Sequence, residues 1–96
     1  MTKSDIINEI HETVGIERLA VQVILEELMQ TIKTNMSEGE NVYLRGFGTF
    51  YIKKRNTKIG RNITQNTALV VPEHFIPAFK PCKEFKEKVK DAVVVE

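Results

Sequence analysis

The feature that most constrains this fold is a change in apolar period at residue 41. Upstream, apolar residues recur every three or four positions, as on one face of a helix; from Asn41 they alternate with period two, as in strands. Thr2 is a candidate N-cap, with Asp5 three residues on in a near capping box. Ile6, Ile7, Ile10 and Val14 follow at helical spacing, and Gly15 breaks the helix. A second helix is predicted from about Glu17 to Ser37. Its stripe holds Val21, Ile24, Leu25, Leu28, Met29, Ile32 and Met36, and Gly39 is a natural C-cap. The pair reads as an apolar-faced hairpin making ordinary core.

Val42 and Leu44 alternate with Tyr43 and Arg45, and Phe50 and Ile52 with Tyr51 and Lys53. Between them, Gly46-Phe47-Gly48 predicts a tight hairpin turn around a buried Phe47. Residues 54–70 are polar and basic, with Gly60, Asn62 and Asn66 read as turn formers. A return strand starts at Leu69 and resumes from His74 to Lys80. Pro72 and Pro77 cannot donate to a ladder, which fits an edge or a bulge. A ribbon of nine residues per strand projects roughly 30 Å, and its tip is expected to be mobile until it meets a partner. Pro81 is expected at the first position of a last helix, with Phe85, Val89, Ala92 and Val93 on its apolar face. The fold class is therefore α+β in one domain, 1–96. A helical dimerisation part (1–39) precedes a three-stranded antiparallel sheet (41–54 and 72–80) carrying a long β-ribbon arm (55–71) and a short C-terminal helix (81–94).

The chain has 96 residues, so its own core is small and oligomerisation is the expected source of further burial. One Cys excludes an intrachain disulfide, and one Cys with two scattered His gives no metal-ligand spacing, so neither metal nor cofactor is expected. No membrane-spanning stretch or signal peptide is evident, and the reading is of a cytoplasmic protein. Net charge is only +1, but residues 1–44 hold three basic and eight acidic groups, whereas residues 45–90 hold eleven basic and three acidic. That asymmetry predicts a polarised surface whose basic part faces a polyanion.

Arg55 to Ile63 reads Arg-Asn-Thr-Lys-Ile-Gly-Arg-Asn-Ile. Arg and Lys neutralise phosphates or enter a minor groove, Asn62 can bond base-edge acceptors, and an apolar residue at a loop tip can wedge a base step open. Arg55, Lys58 and Arg61 are therefore candidate DNA contacts, with Asn62 and the wedge Ile63. Lys53 and Lys54 straddle the strand, so only one of them can face the DNA. Lys80, Lys83 and Lys86 flank the start of the last helix, whose N-terminus itself attracts phosphate. Lys3 lies near the start of the first helix. Cys82, between Lys80 and Lys83, is read as an incidental thiol more than as a redox sensor.

These residues meet in a family. Gly46-Phe47-Gly48-Thr49-Phe50, Arg55, Gly60-Arg61-Asn62, Ile76-Pro77-Ala78-Phe79-Lys80-Pro81, Lys83 and Lys86 together resemble the HU and integration host factor family of bacterial DNA-bending proteins, over nearly the whole chain. The resemblance implies an intertwined homodimer, or a heterodimer with a paralogue, associated with the nucleoid. It also favours Lys53 over Lys54 as the residue facing the DNA. Leu25, Leu28, Ile32, Met36, Phe47, Phe50 and Phe79 would form the dimer core. Two arms would reach round the duplex, a mechanism that general accounts of minor-groove binding already describe for this family. Three positions depart from its pattern. Ile63 stands where the family usually has Pro, Gln65-Asn66 where it has Thr-Gly, and Cys82 where it has Gly.

The resulting expectation is an architectural protein that binds duplex DNA through the minor groove with weak sequence preference. It would bend or compact DNA, and favour bent, nicked or flexible duplexes. Binding to defined sites, as by integration host factor, is the alternative; a dimeric RNA- or protein-interaction module on the same scaffold is the alternative from another class. No nucleophile–base pair or metal constellation supports an enzyme.

Overall fold

The computed structural model describes residues 1–62 and 67–95. The elements run α1 (Lys3–Val14), α2 (Arg18–Ser37), β1 (Val42–Leu44), β2 (Gly48–Arg55), β3 (Lys58–Asn62), β4 (Thr67–Val71), β5 (His74–Pro81) and α3 (Lys83–Ala92). This is the α+β order that the change of period predicts.

The capping box of α1 is complete. Thr2 Oγ1 accepts from the Asp5 N–H at 3.3 Å, and Asp5 Oδ2 accepts from the Thr2 N–H at 2.8 Å. Gly15 ends the helix with φ +78°, and its N–H donates to the His11 carbonyl at 2.8 Å. Arg18 Nε then donates to Asn8 Oδ1 at 2.7 Å, tying the start of α2 back to α1.

The three-stranded sheet has the order β1-β2-β5, all antiparallel, so β5 with its Pro77 is an edge strand. The β1–β2 turn depends on both glycines. Gly46 has φ +84°. A Cβ on Gly48 would lie 2.6 Å from the Lys80 carbonyl oxygen and 2.6 Å from Phe79 Cζ. The Cys82 N–H donates to the Phe47 carbonyl at 2.9 Å, which fixes the start of α3 against this turn.

The second sheet is the ribbon β3–β4. The ladder β2–β5 ends at Arg55 opposite His74, and β3–β4 begins at Lys58 opposite Val71. Each strand leaves two residues unpaired between them, Asn56-Thr57 on one side and Pro72-Glu73 on the other. The interruption therefore preserves register and is not a bulge, which would add a residue to one strand only. Pro72 has no N–H to offer the ladder at this point.

Four expectations need correction. Phe47 is 45% exposed, although the rings of Phe79 and Phe85 lie against it with centroids 5.1 and 5.3 Å away. Pro81 closes β5 opposite Gly48 rather than opening the helix; Cys82 is the N-cap and α3 is correspondingly shorter, Lys83–Ala92. Gly60 is a strand residue paired with Leu69, without the positive φ of a turn glycine. The α2 stripe is not ordinary core: Ile24 is 64% and Leu28 45% exposed.

Among the described residues, only Ile7, Val21 and Gly48 are buried, so just two apolar side chains make the core. The accessible surface is 8457 Å², against about 5,600 Å² for a compact monomer of this mass. Its radius of gyration is 19.1 Å, against about 12 Å for a globule of this length. The projecting ribbon accounts for part of the excess, and the open apolar face of helices and sheet for the rest.

Candidate nucleic-acid interface

Directly opposed residues of an antiparallel pair point to the same face. One face of the three-stranded sheet carries Val42, Phe50, Phe79, Ile52 and Pro77, then Lys54 opposite Phe75. With Ile32 and Met36 of α2, this face lines an apolar groove of about 450 Å³. The other face carries Tyr43, Thr49 and Lys80 in one cross-strand row. Tyr51 with Ala78, Lys53 with Ile76, and Arg55 with His74 follow. Lys80, Lys53 and Arg55 thus share the face turned away from the helices, and all three are exposed. From the row of Lys80 to Arg55 is six residues of strand, or roughly 20 Å.

The two adjacent lysines part here. Lys53 belongs to the cationic face. Lys54 points the other way and pairs with Glu73, Nζ to Oε2 at 3.2 Å. Lys58 opens β3, exposed, opposite Val71. Arg61 and Asn62 take register positions opposite Ala68 and Thr67 at the far end of the ribbon. Ile63 and the turn residues Gln65 and Asn66 lie outside the described residues.

At the other end of the sheet, Lys80 and Lys83 line one concavity with Tyr43, Thr49 and Arg45. The N-terminus of α3 opens onto it, adding its partial positive charge. Arg45 is exposed and was not among the cations expected from the sequence. The available signal was its place just before the Gly46–Gly48 turn, to which Cys82 ties the helix carrying Lys83. Lys86 does not join this group: it lines an adjoining groove with Phe79, Pro81, Phe85 and Val89.

Lys3 is engaged rather than free. Its Nζ lies 3.0 Å from Glu26 Oε1, which also accepts from Gln22 Nε2 at 3.2 Å. The hydrogen bond from Lys3, then that from Gln22, then the Lys3 charge hold the Glu26 carboxyl below its ordinary range.

Among the described residues, no His, Cys, Asp and Glu side chains cluster as metal ligands, and no helix is long and apolar enough to cross a membrane. The cations on the exposed face, Lys80, Lys53 and Arg55, have the charge to neutralise an extended polyanion.

The sequence pattern of the family described as bacterial DNA-binding protein matches residues 1–90. The chain belongs to the HU and integration host factor family. Among its relatives, DNA-binding protein HU of Thermotoga maritima is 36% identical over 90 residues, covering 94% of this chain and all of the relative. Integration host factor subunit beta of Marinobacter nauticus is 35% identical over 98 residues, covering 97% of this chain and 96% of the relative. The HU of an Anabaena HU–DNA cocrystal structure superposes with a TM-score of 0.87 at 31% identity, covering 93% of this chain and 97% of that one. The HU and host factor family consists of architectural DNA-binding proteins, not enzymes. Membership accounts for the shared order of helical pair, sheet, ribbon and short last helix.

Proposed function

We propose that this protein binds duplex DNA as a dimer, through the minor groove and with weak sequence preference, and bends it. The observation that carries the reading is the exposed row of Lys80, Lys53 and Arg55. It occupies one face of the sheet and leads into the basic ribbon. Phosphate neutralisation by such a surface is independent of sequence. At the ribbon tip Arg61 and Asn62 would enter the minor groove, where A·T and T·A look alike, and Ile63 would wedge a base step. The Anabaena relative, crystallised with DNA, supports the same partner. Lys58, Lys83 and Arg45 extend the contact, Lys86 lies at its margin, and Lys3 joins once released from Glu26. The setting we assign is the bacterial nucleoid, in the cytoplasm.

Dimerisation is supported by the sparse core. Leu25, Leu28, Ile32, Met36, Phe47, Phe50 and Phe79 are all incompletely covered in one protomer, as surfaces awaiting a partner are. The partner is a second copy or a paralogue.

A second reading, binding at defined sites, has one observation in its favour. Integration host factor subunit beta stands among the relatives at 35% identity, beside HU at 36%.

Gel shifts on nicked, prebent and linear duplexes of varied sequence, with size exclusion in parallel, test these statements. The expected result is a dimer that prefers distorted duplexes and discriminates little by sequence, because a prebent duplex lowers the deformation energy. A preference of several kcal/mol for one site supports the second reading. Retained RNA or protein binding without duplex binding overturns both.

A further inference from the structure

We infer that Glu73 is a positioning residue of the arm, a latch across the hinge at its base. The register-preserving interruption between Arg55–His74 and Lys58–Val71 leaves four residues without ladder bonds. Such a break is where a two-stranded ribbon turns most readily relative to its sheet. Two contacts made by Glu73 stiffen it. Its carboxylate Oε2 lies 3.2 Å from Lys54 Nζ, in β2 of the body. Its backbone N–H donates to Thr57 Oγ1 at 3.2 Å, one residue before β3 of the arm. Glu73 therefore links body to arm through the gap.

The side on which it does so gives the direction of control. Lys54 sits on the sheet face opposite Lys53 and Arg55. Turning the arm toward the cationic face closes that side of the hinge and opens the side of Lys54. The Lys54–Glu73 pair is lengthened by that motion and resists it. Both side chains are more than half exposed, at 52% and 63%, so the pair is weak and screened by salt. That is the strength a latch needs if it is to bias the arm angle yet yield on contact with a polyanion. An exposed pair of this kind changes the ratio of latched to unlatched arms by about two- to fivefold.

The test uses the full chain without DNA, so it does not depend on the DNA-binding reading. Backbone amide order parameters are measured for β3 and β4 against those for β2 and β5, at about 50 mM and about 500 mM salt. In the parent, order in the ribbon is expected to fall as salt rises, with the sheet unchanged. Glu73→Gln, which keeps the backbone bond to Thr57, should give the high-salt ribbon at both concentrations. The charge swap Lys54→Glu with Glu73→Lys should restore order and its salt dependence, which a change in mere bulk would not do. Thr57→Val should loosen the ribbon at both concentrations but leave a salt-dependent part. A ribbon equally ordered in the parent and Glu73→Gln, or a charge swap that stays loose, overturns the inference.

Discussion

Lys3 and Glu26 are joined across the first two helices by an ion pair of 3.0 Å, and Gln22 holds the carboxylate in place for it. A cation expected to meet the polyanion thus already has a partner. Glu26→Gln should release it. DNA affinity should rise modestly at low salt, and the slope of log K against log salt should steepen by up to about 0.9 for each phosphate gained. An unchanged slope in a salt titration would leave Lys3 out of the interface.

The same carboxylate and Asp5 set a pH dependence. The Thr2 backbone N–H, then the Thr2 hydroxyl, hold the Asp5 carboxyl below its ordinary value of 3.8, and Glu26 lies below its ordinary 4.5. Folded values below unfolded ones mean that both contribute stability above the ordinary carboxylate range. That contribution is lost as pH falls through the folded values. The urea midpoint should therefore drop on acidification below about pH 4.5. In Asp5→Asn with Glu26→Gln the drop should be shallower, as judged by circular dichroism across the same range.

Two glycines should respond differently to the same change. Gly48→Ala forces a methyl against the Lys80 carbonyl and the Phe79 ring, and overpacking of this kind costs about 1–3 kcal/mol. Gly60→Ala meets nothing nearer than the Leu69 carbonyl oxygen at 4.0 Å. It should be neutral, or stabilising by about 0.5 kcal/mol, through the loss of unfolded-chain freedom. Urea unfolding of both variants at one protein concentration makes the comparison.

Ile63→Ala should reduce the bend angle and the preference for nicked duplex while leaving most of the salt-dependent affinity for linear DNA, since phosphates supply that affinity. Arg61→Ala should instead weaken binding to every duplex and make the salt slope shallower by about one unit for each phosphate no longer neutralised. Energy transfer across end-labelled duplexes reads the bend. If Ile63→Ala bends DNA as far as the parent, the wedge assignment fails.

Dilution should lower the melting temperature. Species that fold only in association lose stability as protomer concentration falls. A melting temperature constant over a hundredfold dilution, with a monomeric mass by light scattering, would exclude the dimer.

Element order, strand alternation and the capping box were legible in the sequence because each is a local pattern. Thr2 and Asp5 are three residues apart, and Tyr43, Lys53 and Arg55 follow the pleat. The features that were not legible depend on contacts between distant parts. Phe47 looks buried in the sequence because glycines flank it, yet the rest of the chain covers only part of the ring. Pro81 suits a helix start on local grounds, but pairing with Gly48 keeps it in the strand. Arg45 joins Lys80 and Lys83 only because the sheet places the β1–β2 turn beside the start of α3. The capture of Lys54 by Glu73 needed the ribbon's register, which alternation alone does not supply.

If the proposed dimer is obligate, a chain that buries only two apolar side chains among its described residues folds only on meeting its partner. Folding then becomes a second-order event, and halving the supply of new chains more than halves the rate at which native protein appears. Chains made in excess of their mates stay open to proteolysis, so turnover itself would keep the two subunits of a mixed pair in balance.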